Sequence, residues 1–402
     1  MISSRSAAAK RRVLVTDGNN RAALAITRSL GRAGHTVIVG DRRPYGIAQA
    51  SRYCAGRVVY PDPAKHEAEF VESVAAEITR HEIDAVLPVS DVPTIILSER
   101  RDLFEPACAV LAPGAAAVLR AADKGEMVRL AGQLGVPVPR TIFLDRRGDL
   151  DGLLPELEFP IVIKPHRSRV RTPEGWLFTS VRYATSARDL TADVGTRHDA
   201  EFPLLLQEFV SGYGMGVFAC WRRNASVAWF SHRRLREKPP SGGVSVLSES
   251  IALSPAAQSY TEALLSALRW CGVAMAEFKV GRDGTPRLME INGRFWGSLQ
   301  LAIDAGVDFP VLLLELASGL PTPSPPTYRV GVKSRWLWGD VDSLLIGLRR
   351  GPQASGGRGR LTQVAQFMKL WSPGLSYENP RLSDLRPWLE ETAQWMWLRR
   401  SA

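Results

Sequence analysis

Two glutamates and an asparagine form the clearest candidate chemical site in this 402-residue chain. The Asp-Gly dipeptide at 283–284 is a preferred two-residue turn and predicts a β-hairpin. With that dipeptide at the tip, Glu277 faces Glu290 directly across the hairpin. Asn292 lies two residues further along, so its side chain shares a face with Glu290.

Opposed carboxylates repel each other, and burying them raises the free energy further. A divalent cation removes this conflict, and two carboxylates with an amide oxygen are hard ligands suited to Mg²⁺, or to Mn²⁺. The alternative is an exposed hairpin with surface acids, which the apolar neighbours Ala276, Phe278, Met289 and Ile291 disfavour. Because Pro286 cannot donate to the strand ladder, a loop wider than two residues is a second possibility.

Lysine is scarce, with only 8 among the 51 basic residues, so lysines in special places stand out. Lys164 ends the apolar run at 159–163 and precedes Pro165, which favours extended backbone. Lys124 lies in the first turn of a predicted helix, where the helix dipole disfavours a cation unless that cation holds a phosphate. Each lysine taken alone also fits an ordinary surface residue.

The order of these motifs resembles the ATP-grasp superfamily over residues 13–325. The motifs are, in chain order, Asp123-Lys124, Ile163-Lys164-Pro165, Leu206-Gln207-Glu208-Phe209-Val210, Glu277, and Glu290-Ile291-Asn292-Gly293-Arg294. The spacing of the two glutamates and the E-x-N that follows are the specific features. The loop after Lys164 departs from the pattern, because it lacks the glycines with which many members cover the phosphates.

The resemblance implies a role for each matching residue. The implied ATP-binding residues are Lys124, Lys164, Gln207, Glu208, Phe209, Val210 and Leu288. Of these, the lysines contact the phosphates, the strand at 207–210 holds the adenine edge, and Leu288 packs beneath the adenine. Glu277, Glu290 and Asn292 hold Mg²⁺ between the ATP phosphates. Arg294 is the implied catalytic residue, and its fixed guanidinium steadies the phosphoryl group in transfer.

A basic stretch that leads into a Gly/Pro loop is the candidate substrate-binding region. Arg234 and Arg236 lie two apart and would share one strand face, where they would hold a carboxylate. Gly242 and Gly243 permit close approach of the backbone to a ligand. The alternative is a basic strand and turn on the surface.

Most proteins that carry these motifs activate a carboxylate as an acyl-phosphate with ATP, and an amine then attacks it. We therefore expect an ATP- and Mg²⁺-dependent carboxylate–amine ligase that acts on small, amino-acid-like molecules. The alternatives are another ATP-grasp reaction, such as carboxylation or carbamoyl-phosphate-like chemistry, and a non-catalytic nucleotide-binding module. A nicotinamide enzyme is disfavoured, because the first strand is not followed by G-x-G-x-x-G.

The expected fold class is α/β and α+β. Alternating strands and helices in 13–89 predict a Rossmann-like domain at 11–115. An ATP-grasp domain is expected at 116–325, with a lid subdomain at about 122–206 and a metal- and substrate-binding subdomain at about 207–325. A small Trp- and Arg-rich extension occupies 326–402.

The formal charge of +10 suggests a nucleic-acid partner, but the arginines are scattered, so no nucleic-acid partner is expected.

We expect no secretory signal and no membrane-spanning helix. The four cysteines lack metal spacing and are typical of a reducing cytoplasm. Aromatic residues at 388–397 fit packing on the protein itself better than a membrane surface. The oligomeric state is left open.

Overall fold

The computed structural model describes residues 10–222, 224–240, 242–318, 326–350 and 359–400. Within them the strands are β1 Arg12–Val15, β2 Thr36–Asp41, β3 Cys54–Val59, β4 Ala85–Leu87, β5 Ala109–Val110, β6 Thr141–Leu144, β7 Ile161–Pro165, β8 Arg169–Thr172, β9 Gly175–Phe178, β10 Arg182–Ala184, β11 Leu204–Glu208, β12 Gly212–Arg222, β13 Ala225–Lys238, β14 Val244–Ser250, β15 Gly272–Gly281, β16 Pro286–Asn292, β17 Lys333–Arg335 and β18 Leu375–Tyr377. The α-helices are α1 Arg21–Arg32, α2 Glu67–His81, α3 Asp91–Glu99, α4 Ala115–Ala122, α5 Lys124–Gln133, α6 Leu150–Leu153, α7 Ala187–Gly195, α8 Pro255–Ala267, α9 Leu299–Ala305, α10 Phe309–Ala317, α11 Leu337–Arg350, α12 Arg360–Phe367 and α13 Arg386–Arg400.

The N-terminal part is a parallel sheet of five strands in the order β3-β2-β1-β4-β5. Short apolar strands such as Val13–Val15 are buried, as a sheet covered on both faces requires. Helix α1 begins after Asn20, whose side chain accepts a hydrogen bond from the Ala22 amide. The predicted Rossmann-like arrangement of this part is confirmed.

A four-stranded antiparallel sheet follows, in the order β10-β7-β11-β6. Its central strands β7 and β11 carry Lys164 and Gln207. The segment after Lys164, which the sequence suggested only as a loop poor in glycine, forms a separate β8–β9 hairpin.

The largest sheet has seven strands in the order β16-β15-β12-β13-β14-β17-β18. Its two faces belong to different hydrophobic cores, because side chains alternate along each strand. Along β12, Val217 and Ala219 face the core under α5 and α8. Phe218 and Cys220 face the core shared with α1, α9 and α10. The second core therefore joins this sheet to the N-terminal part.

The C-terminal segment, residues 326–402, is more than the small extension expected from its composition. It contributes β17 and β18 to the largest sheet. Its Asp384 pairs with the buried Arg28 of α1 at 2.8 Å. Arg28 also donates to the carbonyl oxygens of Glu378, Asn379 and Asp384. In α13, Trp397 is 65% exposed and Leu389 57% exposed.

Among the described residues, none of the helices combines the length and the apolar character needed to cross a lipid bilayer.

The buried Arg28–Asp384 pair predicts that the C-terminal segment is needed for stability. Arg28→Met should lower the free energy of unfolding by about 3–5 kcal/mol, because Asp384 then stays buried without its cation. Urea unfolding measures this loss. The control is Arg12→Met, which breaks the exposed pair with Glu82 and should change stability by about 1 kcal/mol or less. Equal effects of the two substitutions would contradict the prediction.

Candidate active site

A cavity of about 390 Å³ lies between the four-stranded and seven-stranded sheets. It gathers cationic, acidic and apolar side chains from distant parts of the sequence. The predicted site residues that line it are Lys124, Lys164, Gln207, Glu208, Phe209, Val210, Arg234, Gly242, Gly243, Glu277, Glu290, Asn292 and Arg294. Leu288 and Arg236 are not among the lining residues.

The hairpin pairs Glu277 with Glu290, as the turn position predicts. A β-bulge follows Glu277, however, so that Phe278 pairs with Leu288. The connection is therefore longer than the two-residue turn, and Gly284 within it has a φ of 75°. The predicted tight turn is wrong, whereas the predicted pairing of the acids is confirmed.

Asn292 links the two carboxylates. Its side-chain nitrogen donates to Glu277 Oε1 at 3.1 Å and to Glu290 Oε1 at 3.2 Å. Two carboxylates and an amide fit a hard cation such as Mg²⁺. Among the described residues, no group of three or more His, Cys, Asp or Glu side chains is arranged to hold a metal ion. Glu277, Glu290 and Asn292 would therefore leave coordination positions for oxygen ligands from outside this set.

The two acids have different electrostatic surroundings. Burial raises the pKa of Glu277, and Glu290 adds to this effect although Arg234 opposes it. Burial acts in the same direction on Glu290, but Lys124 and Lys164 outweigh it and lower the pKa of Glu290. The second acid is thus held ionised by two cations.

Both lysines lie close to this acid pair. Asp123 caps α5 by accepting from the Glu126 amide at 2.9 Å, which places Lys124 in the first turn as predicted. Lys124 Nζ is 2.7 Å from Ser168 Oγ and 3.6 Å from Glu290 Oε2. Lys164 extends from β7 and is buried, and this burial lowers its pKa to about 8. An anion bound beside Lys164 would stabilise its protonated form.

The apolar end of the cavity contains the predicted strand segment at 207–210. Phe209 is 44% exposed and makes an edge contact with Tyr183, with ring centroids 6.2 Å apart. The Oε1 atom of Gln207 is buried and has no hydrogen-bond partner in the described part of the chain. An adenine amino group would satisfy such an acceptor.

Leu288 is placed differently from the prediction. The β-bulge makes Met289 the extra residue between the Glu277–Glu290 and Phe278–Leu288 pairs. Met289 lines the cavity, with its sulfur 3.7 Å from Lys164 Nζ. Leu288 lies instead in the apolar core.

The structure also places the two arginines that were predicted to bind substrate in different surroundings. Arg234 faces the cavity, where it pairs with Glu277 and, at 3.2 Å, with Glu237. Arg236 is held outside the lining by Asp340, with Nε 2.8 Å from Oδ1. Register shifts in the β13–β14 pair interrupt the alternation that a regular strand would have kept. The prediction that both arginines hold one carboxylate is therefore wrong.

Arg294 is fixed by Asp91, a residue that no sequence motif singles out. Asp91, at the start of α3, accepts from Arg294 Nε at 2.5 Å. A second cavity, of about 190 Å³, shares Lys124, Glu290, Asn292 and Arg294 with the first. Arg294 therefore borders both spaces, although its contact with Asp91 spans 203 residues of sequence.

The β8–β9 hairpin is fastened to the N-terminal part. Arg171 contacts Glu99 Oε2 at 2.6 Å and Glu67 Oε1 at 3.2 Å. The Trp176 amide donates to the Ala64 carbonyl oxygen at 2.9 Å, and its indole nitrogen lies 3.3 Å from Glu67 Oε2. These contacts attach the hairpin to α2, α3 and the residue Ala64 of the N-terminal part.

Comparisons with known proteins agree with this architecture. Residues 201–339 match a family model described as ATP-grasp in the biosynthetic pathway with Ter operon. No curated protein matches the sequence. An L-amino acid ligase from Bacillus licheniformis superposes with a TM-score of 0.60 at 17% identity, over 77% of this chain and 75% of that chain.

Two further solved structures are similar. The carboxyaminoimidazole ribonucleotide synthase from Aspergillus clavatus, complexed with ATP, has a TM-score of 0.61 and 18% identity, with 81% of this chain and 80% of that chain covered. Biotin carboxylase from Campylobacter jejuni has a TM-score of 0.60 and 16% identity, with 80% and 74% covered. The chain has the ATP-grasp fold, so the predicted resemblance is confirmed.

The contacts of Arg171 predict that this residue limits the opening of the β8–β9 hairpin. Arg171→Gln should accelerate hydrogen exchange of the Trp176 amide by about threefold to tenfold, because charge-assisted hydrogen bonds that are partly exposed to solvent are lost. Mass spectrometry after deuterium labelling measures the rate. Glu174→Gln, in the exposed turn of the same hairpin, is the control and should leave the rate unchanged. An unchanged rate in Arg171→Gln would show that the backbone contact alone holds the hairpin.

Proposed function

We propose that the protein is an ATP- and Mg²⁺-dependent ligase that joins a carboxylate to an amine. The observation that carries this proposal is the convergence of Glu277, Glu290 and Asn292 with Lys124 and Lys164 in one cavity. Acids that would bind a cation and lysines that would bind phosphates are both needed for phosphoryl transfer. The fold supports the same reaction class.

The cavity residues divide between the two ends of ATP. Gln207 and the segment at 208–210 would receive the adenine, and Met289 would pack against it in the place first assigned to Leu288. Lys124 and Lys164 would neutralise the phosphates. Glu277, Glu290 and Asn292 would hold Mg²⁺, which when bound draws charge from the phosphate oxygens.

The reaction then needs positioning and charge neutralisation, with no side-chain nucleophile. A substrate carboxylate oxygen attacks the γ-phosphorus, the bond to the β-phosphate oxygen breaks, and ADP leaves. The amine nitrogen attacks the acyl carbon, phosphate leaves, and the nitrogen loses a proton to solvent. Arg294, held by Asp91, would stabilise the charge on the transferring phosphoryl group.

Two alternatives share the ATP half of this scheme. Two of the similar structures are a biotin carboxylase and a carboxyaminoimidazole ribonucleotide synthase, so bicarbonate belongs among the carboxylates to be tested. A non-catalytic nucleotide-binding module would bind ATP without turnover. The complete set of acids, amide and lysines favours an active enzyme.

The proposal predicts ADP release that depends on both Mg²⁺ and a carboxylate–amine pair. The assay covers a panel of carboxylates, including bicarbonate, combined with amino acids as amines. Glu290→Gln should lower turnover by at least about 100-fold, because it removes one cation ligand at the transferring phosphates. A coupled ADP assay measures the rate.

The matched control is Asp283→Asn, which removes an acid from the tip of the same hairpin, where its side chain is 49% exposed. Its turnover should stay within about twofold of the wild type. Tight ATP binding without ADP release from any pair would favour the non-catalytic alternative. Full activity of Glu290→Gln would overturn the assignment of the acid pair.

A further inference from the structure

The main cavity contains a cation that comes from outside the proposed ATP site. Arg21, the first residue of α1, lines the same cavity as Arg294, together with Trp296, Gly297 and Ser298. It belongs to the N-terminal part, whereas the proposed ATP contacts all come from residues 124–294. Its side chain is 13% exposed, so it is a largely buried cation that faces a cavity.

The C-terminal segment fixes the position of this arginine. Arg21 forms an ion pair with the buried carboxylate of Glu378 through one terminal nitrogen, NH1. Its guanidinium carbon lies 3.9 Å from the ring centroid of Trp336. The Trp336 indole in turn donates to Glu391 Oε1 at 2.6 Å. Two residues of the C-terminal segment therefore hold the guanidinium, and a third holds the tryptophan.

Because Gly297 has no side chain, the second terminal nitrogen of Arg21, NH2, can occupy the space beside it. A Cβ atom at Gly297 would lie only 2.7 Å from Arg21 NH2. Any larger residue there would push the guanidinium aside. The end of the cavity is thus shaped around this group by a glycine three residues after Arg294.

Some cations of the cavity are already paired with acids, whereas Arg21 keeps donors for a second anion. Lys124 lies beside Glu290, and Arg234 is engaged by Glu277 and Glu237. Glu378 engages only NH1 of Arg21, and within the described residues the other donors of the Arg21 guanidinium have no hydrogen-bond partner. A fixed, always charged guanidinium matches the two oxygens of a carboxylate.

We propose that Arg21 binds the carboxylate of an α-amino acid substrate that is not itself phosphorylated. This inference rests on the proposed function, because it names the substrate class of the same cavity. It assigns the C-terminal segment a part in substrate selection, since Glu378 and Trp336 position the cation. Arg21 would then separate free amino acids from their uncharged derivatives.

The test measures binding and so does not depend on turnover. The wild-type protein, loaded with MgADP, is titrated calorimetrically with the common L-amino acids and with their α-carboxamides. At least one free acid should bind at least tenfold more tightly than its carboxamide. Arg21→Gln should weaken that acid about tenfold, while the affinities for the carboxamide and for MgADP stay within twofold.

Two further variants keep the test informative if Arg21→Gln unfolds. Gly297→Ala retains the Arg21–Glu378 charges but displaces the guanidinium, and it should lose the same preference for the free acid. Arg32→Gln removes an exposed cation from the other end of α1 and should behave as wild type. Thermal unfolding of each variant reports whether the fold is intact.

The outcomes separate this inference from the proposed function. If no free acid is preferred by the wild type, or if folded Arg21→Gln and Gly297→Ala keep the preference, the assignment of Arg21 is overturned. If the preference depends on Arg21 but no pair gives ADP release, the binding site stands and the ligase proposal fails. If ADP is released but the wild type shows no preference for a free acid over its carboxamide, the ligase proposal stands and the assignment of Arg21 fails.

Discussion

The structure is organised around two carboxylates that face each other in the main cavity. Glu277 and Glu290 are direct partners across the β15–β16 ladder, and like charges opposed in a sheet destabilise it. The protein offsets this repulsion with an amide, Asn292, and with cations from three other strands and helices. Lys124, Lys164 and Arg234 belong to α5, β7 and β13. The acid pair therefore determines where these distant elements must meet.

A second constraint is that two of the cavity arginines are each anchored by an acid from a distant part of the chain. Asp91 of the N-terminal part holds Arg294, and Glu378 of the C-terminal segment holds Arg21. A guanidinium has five donors, so one carboxylate fixes its orientation and leaves other donors for a ligand. Burial would otherwise disfavour the charged form. The same contacts that join the parts of the molecule thus also preorganise the cavity.

The sequence predicts the local features of the site and misses those that depend on irregular pairing or long-range contact. The Glu277–Glu290 pairing is predicted correctly although the turn is longer than expected, because the β-bulge compensates for the longer turn, and the Asp123 cap follows from its own helix. Met289 replaces Leu288 because of a β-bulge, which strand alternation does not reveal. The fold and the family resemblance are predicted correctly because the order of the motifs along the chain does not depend on such local shifts in register.

Contacts between residues that are hundreds of positions apart cannot be predicted from the sequence, for a different reason. In the sequence the arginines are scattered and none stands out, yet Arg28 is fully buried against the C-terminal segment. Arg21 and Glu378 are 357 residues apart, and neither carries a local pattern that singles it out. Arginine tolerates burial only where an acid and carbonyl oxygens satisfy its donors. Such partners become visible only once the C-terminal segment is placed against α1.

The β8–β9 hairpin connects the proposed phosphate site with the N-terminal part of the chain. Ser168 lies directly before β8 and accepts from Lys124 Nζ at 2.7 Å, while Arg171 within β8 contacts Glu67 and Glu99. One short segment therefore touches both a proposed phosphate ligand and the N-terminal part. An ammonium group has three donors, so Lys124 can keep its contact with Ser168 while it also contacts a bound phosphate. In this chain a side-chain contact thus couples the proposed phosphate site to the hairpin, in a segment where glycines would otherwise supply the covering loop.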